Sequence, residues 1–343
     1  MLEFNLGEHI KLKFYLPSKS YVRYFKNEYL RVSISKSNLK SRIIIETHVV
    51  SDLPSPDKGD VNSRIRVKGL FWFEYIVSGI HTSNPKIYFK RHWVDRLYIN
   101  AIAVFLQAQI LEPLIYLKLL DYQILLMHSA GVSNDSQGYI FPAHSGTGKT
   151  TLSLRLINYG FKLLGDDLLY IDTRKAMVSP YPRPLHLFSY NIKTLNGARV
   201  PLNIRFKVYF KNLIRFFLEK ILKDQFLIST RVHVERLYSD FQLGETSKIR
   251  KIIFLKRGGK HEKVSLASTE NRLKVIKDII CSADLNKSLE KNLLRYEEEK
   301  VVLRQKESAV LDLLLRQFSY IDYVDPNAIS KEAFYEFLNI LNS

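Results

Sequence analysis

The chain has 343 residues, 46% of them hydrophobic and 25% charged, which is the usage of a folded globular protein and excludes a collagen-like or intrinsically disordered chain. That length exceeds one ordinary core and allows two domains or one elaborated domain. The single Cys281 excludes an intramolecular disulfide, and the formal net charge of +18 raises the question of a polyanionic partner such as nucleic acid or an acidic membrane surface.

Residues 1–95 carry short aromatic and β-branched runs at Ile10–Tyr15, Arg42–Val50 and Leu70–Val77, separated by polar or Pro/Gly turn material such as Ser55–Asp60. This spacing predicts a β-rich N-terminal region. From Trp93 to about Lys118 the apolar spacing is helical, with Pro113 marking a kink or a junction between two helices. The most apolar stretch, Ala101–Leu126, is interrupted by Gln107, Gln109, Glu112, Pro113, Lys118 and Asp121, so it reads as a buried helix rather than a membrane span. No charged-then-apolar leader opens the chain at Met1–Phe4, and the cytoplasm is the expected compartment.

Gln123–His128 reads as a buried strand, Ser133–Gly138 as a turn and Tyr139–Pro142 as a second strand. The segment Ala143-His144-Ser145-Gly146-Thr147-Gly148-Lys149-Thr150 follows. It fits the P-loop (Walker A) pattern except that Ala replaces the first Gly. In such a loop backbone N–H groups and a helix N-terminus face the phosphates, and glycines let the backbone approach. Lys149 would meet the β- and γ-phosphates, and the Thr150 hydroxyl would ligate magnesium. Ser145, Gly146, Thr147, Gly148, Lys149, Thr150 and Thr151 are therefore the candidate nucleotide-binding residues, with a nucleoside triphosphate and Mg²⁺ as the cofactors.

Thr150–Asn158 reads as a helix with Gly160 as its C-cap, and Lys162–Leu164 as a strand ending at Gly165-Asp166-Asp167. Paired carboxylates one helix after a P-loop can divide two tasks, magnesium coordination and acceptance of a proton from an attacking hydroxyl. Beyond the next strand, Leu168–Asp172, three prolines in Pro180–His186 would hold Arg183 on a rigid segment, where it binds a phosphate or serves as a surface connector. Arg231 and Arg257 are further candidates for neutralising charge.

Arg205–Leu227 is amphipathic or wholly apolar with basic punctuation, Lys251–Lys256 a strand and Glu270–Ile280 a helix. Helices are predicted at Leu293–Arg304, Ala309–Gln317 and Lys331–Leu341. Residues 199–263 hold sixteen Lys or Arg against six Asp or Glu. That makes the stretch the expected dock for an anionic partner, with scattered solvated charge as the alternative. The exposed basic and aromatic stretches would also permit a homo-oligomer.

Met127–Val132, the turn to Gly138, Ser145–Thr150 and Gly165-Asp166-Asp167 together resemble the catalytic domain of bacterial HPr kinase/phosphorylase, over about residues 123–172, with a weaker echo at Ile252–Gly259. The resemblance implies the P-loop fold shared with phosphoenolpyruvate carboxykinase and ATP-dependent phosphorylation of a serine-type hydroxyl. Joined to the patterns read on either side of it, it gives as expectation an α/β fold with a β-rich N-terminal region at 1–95, a P-loop kinase core at 96–285 and a helical C-terminal extension at 286–343. By position Asp166 resembles the general base, Asp167 its supporting or metal-side partner, and His128 a residue near the transferred phosphoryl group. Thr151 stands where that family carries an acidic residue, and the signature tied to the reverse reaction has no counterpart. The expectation is thus a kinase without phosphorylase activity, acting on a small molecule, peptide or protein. A nucleotide-gated regulatory binder and a nucleic-acid-linked NTPase are the alternatives.

Overall fold

The computed structural model describes residues 1–7, 9–32, 43–67, 71–92, 95–181, 183–189, 192, 200–222, 230–238, 241–258, 261–283, 285–326 and 334–342. The protein is mixed α/β with several sheets, and the chain divides into two compact units, Met1–Leu125 with Asp284–Val310, and Leu126–Ala283 with Leu311–Ser343. Of the boundaries drawn from sequence, the one at 95 falls inside the first unit and the one at 285 lies beside the 283/284 crossing.

In the first unit β1 (Leu2–Leu6), β2 (Ile10–Tyr15), β3 (Ile43–Val50), β4 (Val61–Val67), β5 (Phe71–Ser78) and β6 (Lys86–Lys90) form one sheet in the order β1-β2-β3-β6-β5-β4. Strand β3 alternates buried and half-buried residues throughout, the period of a sheet with one face on a core. Helix α1 (Lys19–Tyr29) buries Tyr21, Tyr24, Phe25 and Tyr29, and Phe25 stacks on Phe14 of β2 at 4.6 Å.

The long apolar stretch forms α2 (Asp95–Leu106), a π-helical turn (Gln107–Leu111) and α3 (Glu112–Leu120). The π turn stands immediately before Pro113, which has no N–H to give to a continuous ladder. Ile102–Leu120 is long and apolar enough to cross a membrane by length and composition, and 72% of its most apolar window is buried inside the protein. The first unit also receives α7 (Leu285–Asn292) and the start of α8 (Glu297–Leu315), where Glu307 accepts from Tyr116 of α3 and from Asn286.

The second unit is built on β7 (Ile124–Asn134), β8 (Gln137–Pro142), β9 (Lys162–Gly165), β10 (Leu168–Asp172), β11 (Met177–Ser179), β14 (Ser247–Leu255), β15 (Glu262–Ser265) and β16 (Tyr320–Val324). Their order is β11-β10-β7-β8-β14-β16-β15, with β9 on β7 and a further β11–β14 pairing that closes part of the sheet on itself. A separate ribbon pairs β12 (Leu185–Leu187) with β13 (Thr230–Val232). The helices are α4 (Lys149–Ile157), α5 (Leu202–Leu222), α6 (Thr269–Ser282) and α9 (Phe334–Asn342).

Three expectations need correcting. Strand β7 runs to Asn134 instead of ending at His128, because the turn contracts to Asp135 and Ser136, both at positive φ (45° and 62°) between the paired Asn134 and Gln137. That is the geometry of a two-residue hairpin loop. The two helices expected at 293–317 are mainly one, α8, preceded by α7. Finally, the C-terminal region is not purely helical. Tyr320-Ile321-Asp322-Tyr323-Val324 is a strand lying parallel to β14 and antiparallel to β15, a short aromatic and β-branched run masked in sequence by its helical neighbours. Parts of the expected 42–50, 70–77, 205–227 and 331–341 elements lie outside the described residues.

Candidate active site

Strand β8 delivers the chain to Ala143, which bridges to Leu255 and is fully buried in a cluster with Phe141, Leu152, Ile253 and Phe334. The methyl group that departs from the Gly pattern is therefore a core group. After it His144, Ser145 and Gly146 are exposed, and Gly146 and Gly148 take φ of 77° and 117°, backbone that favours glycine. Thr147 ties the loop internally, its hydroxyl donating to the His144 carbonyl at 2.7 Å. Gly148 is the N-cap of α4 and has no side chain to satisfy the first-turn N–H groups, which leaves them for an anion.

Lys149 is 7% exposed. Its ammonium donates to the carbonyls of Ala143 (2.8 Å) and His144 (3.4 Å) and lies 3.3 Å from His128 Nε2. Arg257 reaches back from the end of β14 and donates to the Gly146 carbonyl.

The aspartate pair occupies the turn between β9 and β10. Gly165 lies opposite Gly131 of β7, and a Cβ at Gly165 would stand 2.6 Å from the Leu168 carbonyl oxygen. The glycines let the turn close tightly on β7, where Ser129 N–H donates to the Asp167 carbonyl at 3.2 Å. Asp166 Oδ2 accepts from the Thr150 hydroxyl at 3.1 Å, while Oδ1 is buried with no hydrogen-bond partner. Asp167 Oδ1 lies 3.2 Å from His128 Nε2, and Oδ2 lies 3.7 Å from an Arg183 guanidinium nitrogen.

The two carboxyls are pushed apart in acidity. Burial, with the Asp167 charge beside it, raises Asp166 to about 6, against the opposing pull of Thr150, Lys149 and His128. At Asp167 burial acts upward, but the His128 hydrogen bond and the charges of His128, Arg183 and His186 outweigh it and hold the carboxyl well below its usual range. A neighbouring pair split in this way leaves one carboxyl able to take up a proton near pH 6 and one that stays an anion.

His128 sits mid-strand, and its Nδ1 is 2.8 Å from the Ser282 carbonyl at the end of α6. A carbonyl only accepts, so Nδ1 carries hydrogen, and Nε2 either accepts from Lys149 or, when protonated, donates to Asp167. The Ser282 contact has no side-chain signature in the sequence. His186, whose charge reaches Asp167, lies within the Pro180–His186 segment but carried no motif of its own.

Arg183 is 8% exposed rather than a surface connector, and Pro182 lies outside the described residues. Arg231 is on β13, opposite His186 of β12. Thr151 is half-buried in the first turn of α4. Among the described residues no group of three or more His, Cys, Asp or Glu forms a metal site. A magnesium ion carried with substrate phosphates takes only one or two protein carboxylates. The Thr150 hydroxyl and the ionised Asp167 carboxylate are hard donors suited to it. No protein-family model matches the chain, and no curated protein matches it in sequence.

Proposed function

We propose that the chain is an ATP-dependent phosphotransferase that moves the γ-phosphoryl group to a hydroxyl acceptor, using Ala143–Thr150 as a P-loop within a core of the HPr kinase type. The supporting observation is the convergence of Lys149, Thr150, His128, Asp166 and Asp167 at one glycine-bearing loop between a strand and a helix. A pure binding site has little need of a buried carboxyl poised at about 6.

The loop N–H groups and Lys149 bind the triphosphate, the ammonium exchanging its carbonyl partners for phosphate oxygens. Magnesium, which Thr150 and Asp167 would hold, would supply neutralisation of the phosphate charge. Asp166 accepts the proton of the acceptor hydroxyl as its oxygen bonds to phosphorus and the bond to the ADP oxygen breaks. Asp167 stays ionised and orients His128 and Arg183. With Thr151 in place of an acidic residue and no counterpart of the signature tied to the reverse reaction, the chain works in the kinase direction only.

Transfer of label from γ-labelled ATP with magnesium, screened over pools of hydroxyl metabolites and peptides, tests the reading. Wild type should label an acceptor, and Asp166→Asn should lower the rate about 10²- to 10⁴-fold. Tight nucleotide binding with no transfer to any pool would replace the kinase with a regulatory binder.

A further inference from the structure

Helix α5 has two apolar faces, and among the described residues only one of them packs into the core. Ile204 and Val208, 5% and 2% exposed, pack into a cluster with Leu154, Leu163, Leu185 and Leu187. At 3.6 residues per turn the opposite side of the helix carries Phe206, Tyr209, Phe210, Leu213, Phe216 and Phe217. These six are 47–71% exposed. Phe206 stacks on Phe210 at 6.0 Å, and Phe216 meets Phe217 edge-on at 6.0 Å, so the rings cover one another rather than the core. A contiguous apolar stripe of this length on a protein surface marks a contact surface.

The charges on the helix select the occupant. Arg205, Lys207, Lys211, Arg215 and Lys220 face a single acid, Glu219. Arg205, Lys207 and Lys220 are exposed and border or interrupt the stripe. A second copy docked symmetrically through this face would set the exposed Arg205, Lys207 and Lys220 against the same three cations, which is repulsive. An anionic bilayer matches both features, since acyl chains take the aromatic and leucine side chains while lipid phosphates take the cations. With five cations and an acid the helix suits the interface plane rather than the bilayer core; among the described residues only Ile102–Leu120 has the length and apolarity to span.

We propose that α5 is a membrane-docking helix that binds anionic lipid surfaces through Phe206–Phe217 and its flanking cations. This is independent of the chemistry proposed above. The test is flotation of the full chain with phosphatidylcholine vesicles made with or without phosphatidylglycerol, alongside sedimentation equilibrium without lipid. Wild type should float with the anionic vesicles at least about tenfold better than with neutral ones, and lose that advantage at 1 M salt, where the screening length falls to about 3 Å. Combining Phe206→Ser, Phe210→Ser and Phe217→Ser, all at exposed positions, should abolish flotation. If that variant misfolds, combining Arg205→Gln, Lys207→Gln and Lys220→Gln should remove the preference for anionic lipid. Wild type that floats with neither vesicle, or a folded serine variant that floats as well as wild type, overturns the proposal. So does a wild-type dimer without flotation that the serine variant converts to monomer, because the occupant is then a second copy.

Discussion

At His128 a single nitrogen faces both Lys149 (3.3 Å) and Asp167 (3.2 Å). It cannot serve both in one protonation state, so a phosphate drawing Lys149 away frees Nε2. The same crowding sets the behaviour of the aspartates. As proton acceptor Asp166 must be ionised, so transfer should rise as pH passes through about 6 and level off above it; a flat profile from pH 5 to 8 contradicts the assignment. The stability consequence runs oppositely. A carboxyl raised on folding binds protons more tightly in the folded state, so its stabilising contribution is present below the unfolded value near 3.8 and lost as pH rises through about 6. Asp166→Asn should therefore be more stable than wild type to thermal unfolding at pH 7, with a free-energy gain on the order of 1–3 kcal/mol that is gone below about pH 4. Loss of activity with gain of stability separates a working carboxylate from a structural one. Asp167 has the reverse sign. Its raised acidity in the folded state contributes stability above the unfolded value, lost only as pH falls through the folded one. Asp167→Asn should destabilise at pH 7, by about 1 kcal/mol rather than several, because the side chain keeps 43% of its surface in solvent.

At the scale of the elements, the site depends on close strand approach as much as on side chains. Gly165→Ala sets a methyl against the Leu168 carbonyl, so thermal unfolding should show a loss of about 1–3 kcal/mol, and transfer should fall because the aspartate turn moves off β7. The strand, loop, helix and aspartate turn were legible because each has a local signature: a buried run, glycines at forced positive φ, a strand–turn junction. Three things were not. The two-residue turn at Asp135–Ser136 uses no glycine, so it looked longer than it is. The Ser282 carbonyl under His128 is a backbone contact made 154 residues away in sequence. The outward stripe on α5 is indistinguishable in sequence from a core-facing one, since periodicity shows that a helix has an apolar face and not which way it turns.

At the scale of the whole molecule the chain is discontinuous, residues 284–310 joining the first unit before 311–343 return to the second. A cut between 285 and 286, natural from sequence, would strip the second unit of β16 and of α9, whose Phe334, Phe337 and Leu341 are 0–2% exposed in the core behind Ala143. Removal of residues 316–343 should therefore collapse the second unit, seen as loss of cooperative unfolding and rapid proteolysis of 126–283. A truncated chain that melts like the full one would make this segment an appendage. All of the proposed chemistry rests on a triphosphate binding at Ala143–Thr150. The direct test is calorimetric titration of ATP with magnesium into wild type and Lys149→Ala, which needs no knowledge of the acceptor. Binding by wild type, weakened at least about tenfold in the variant, is the expected result. Equal affinity for the two proteins, or no binding by wild type, would contradict the account.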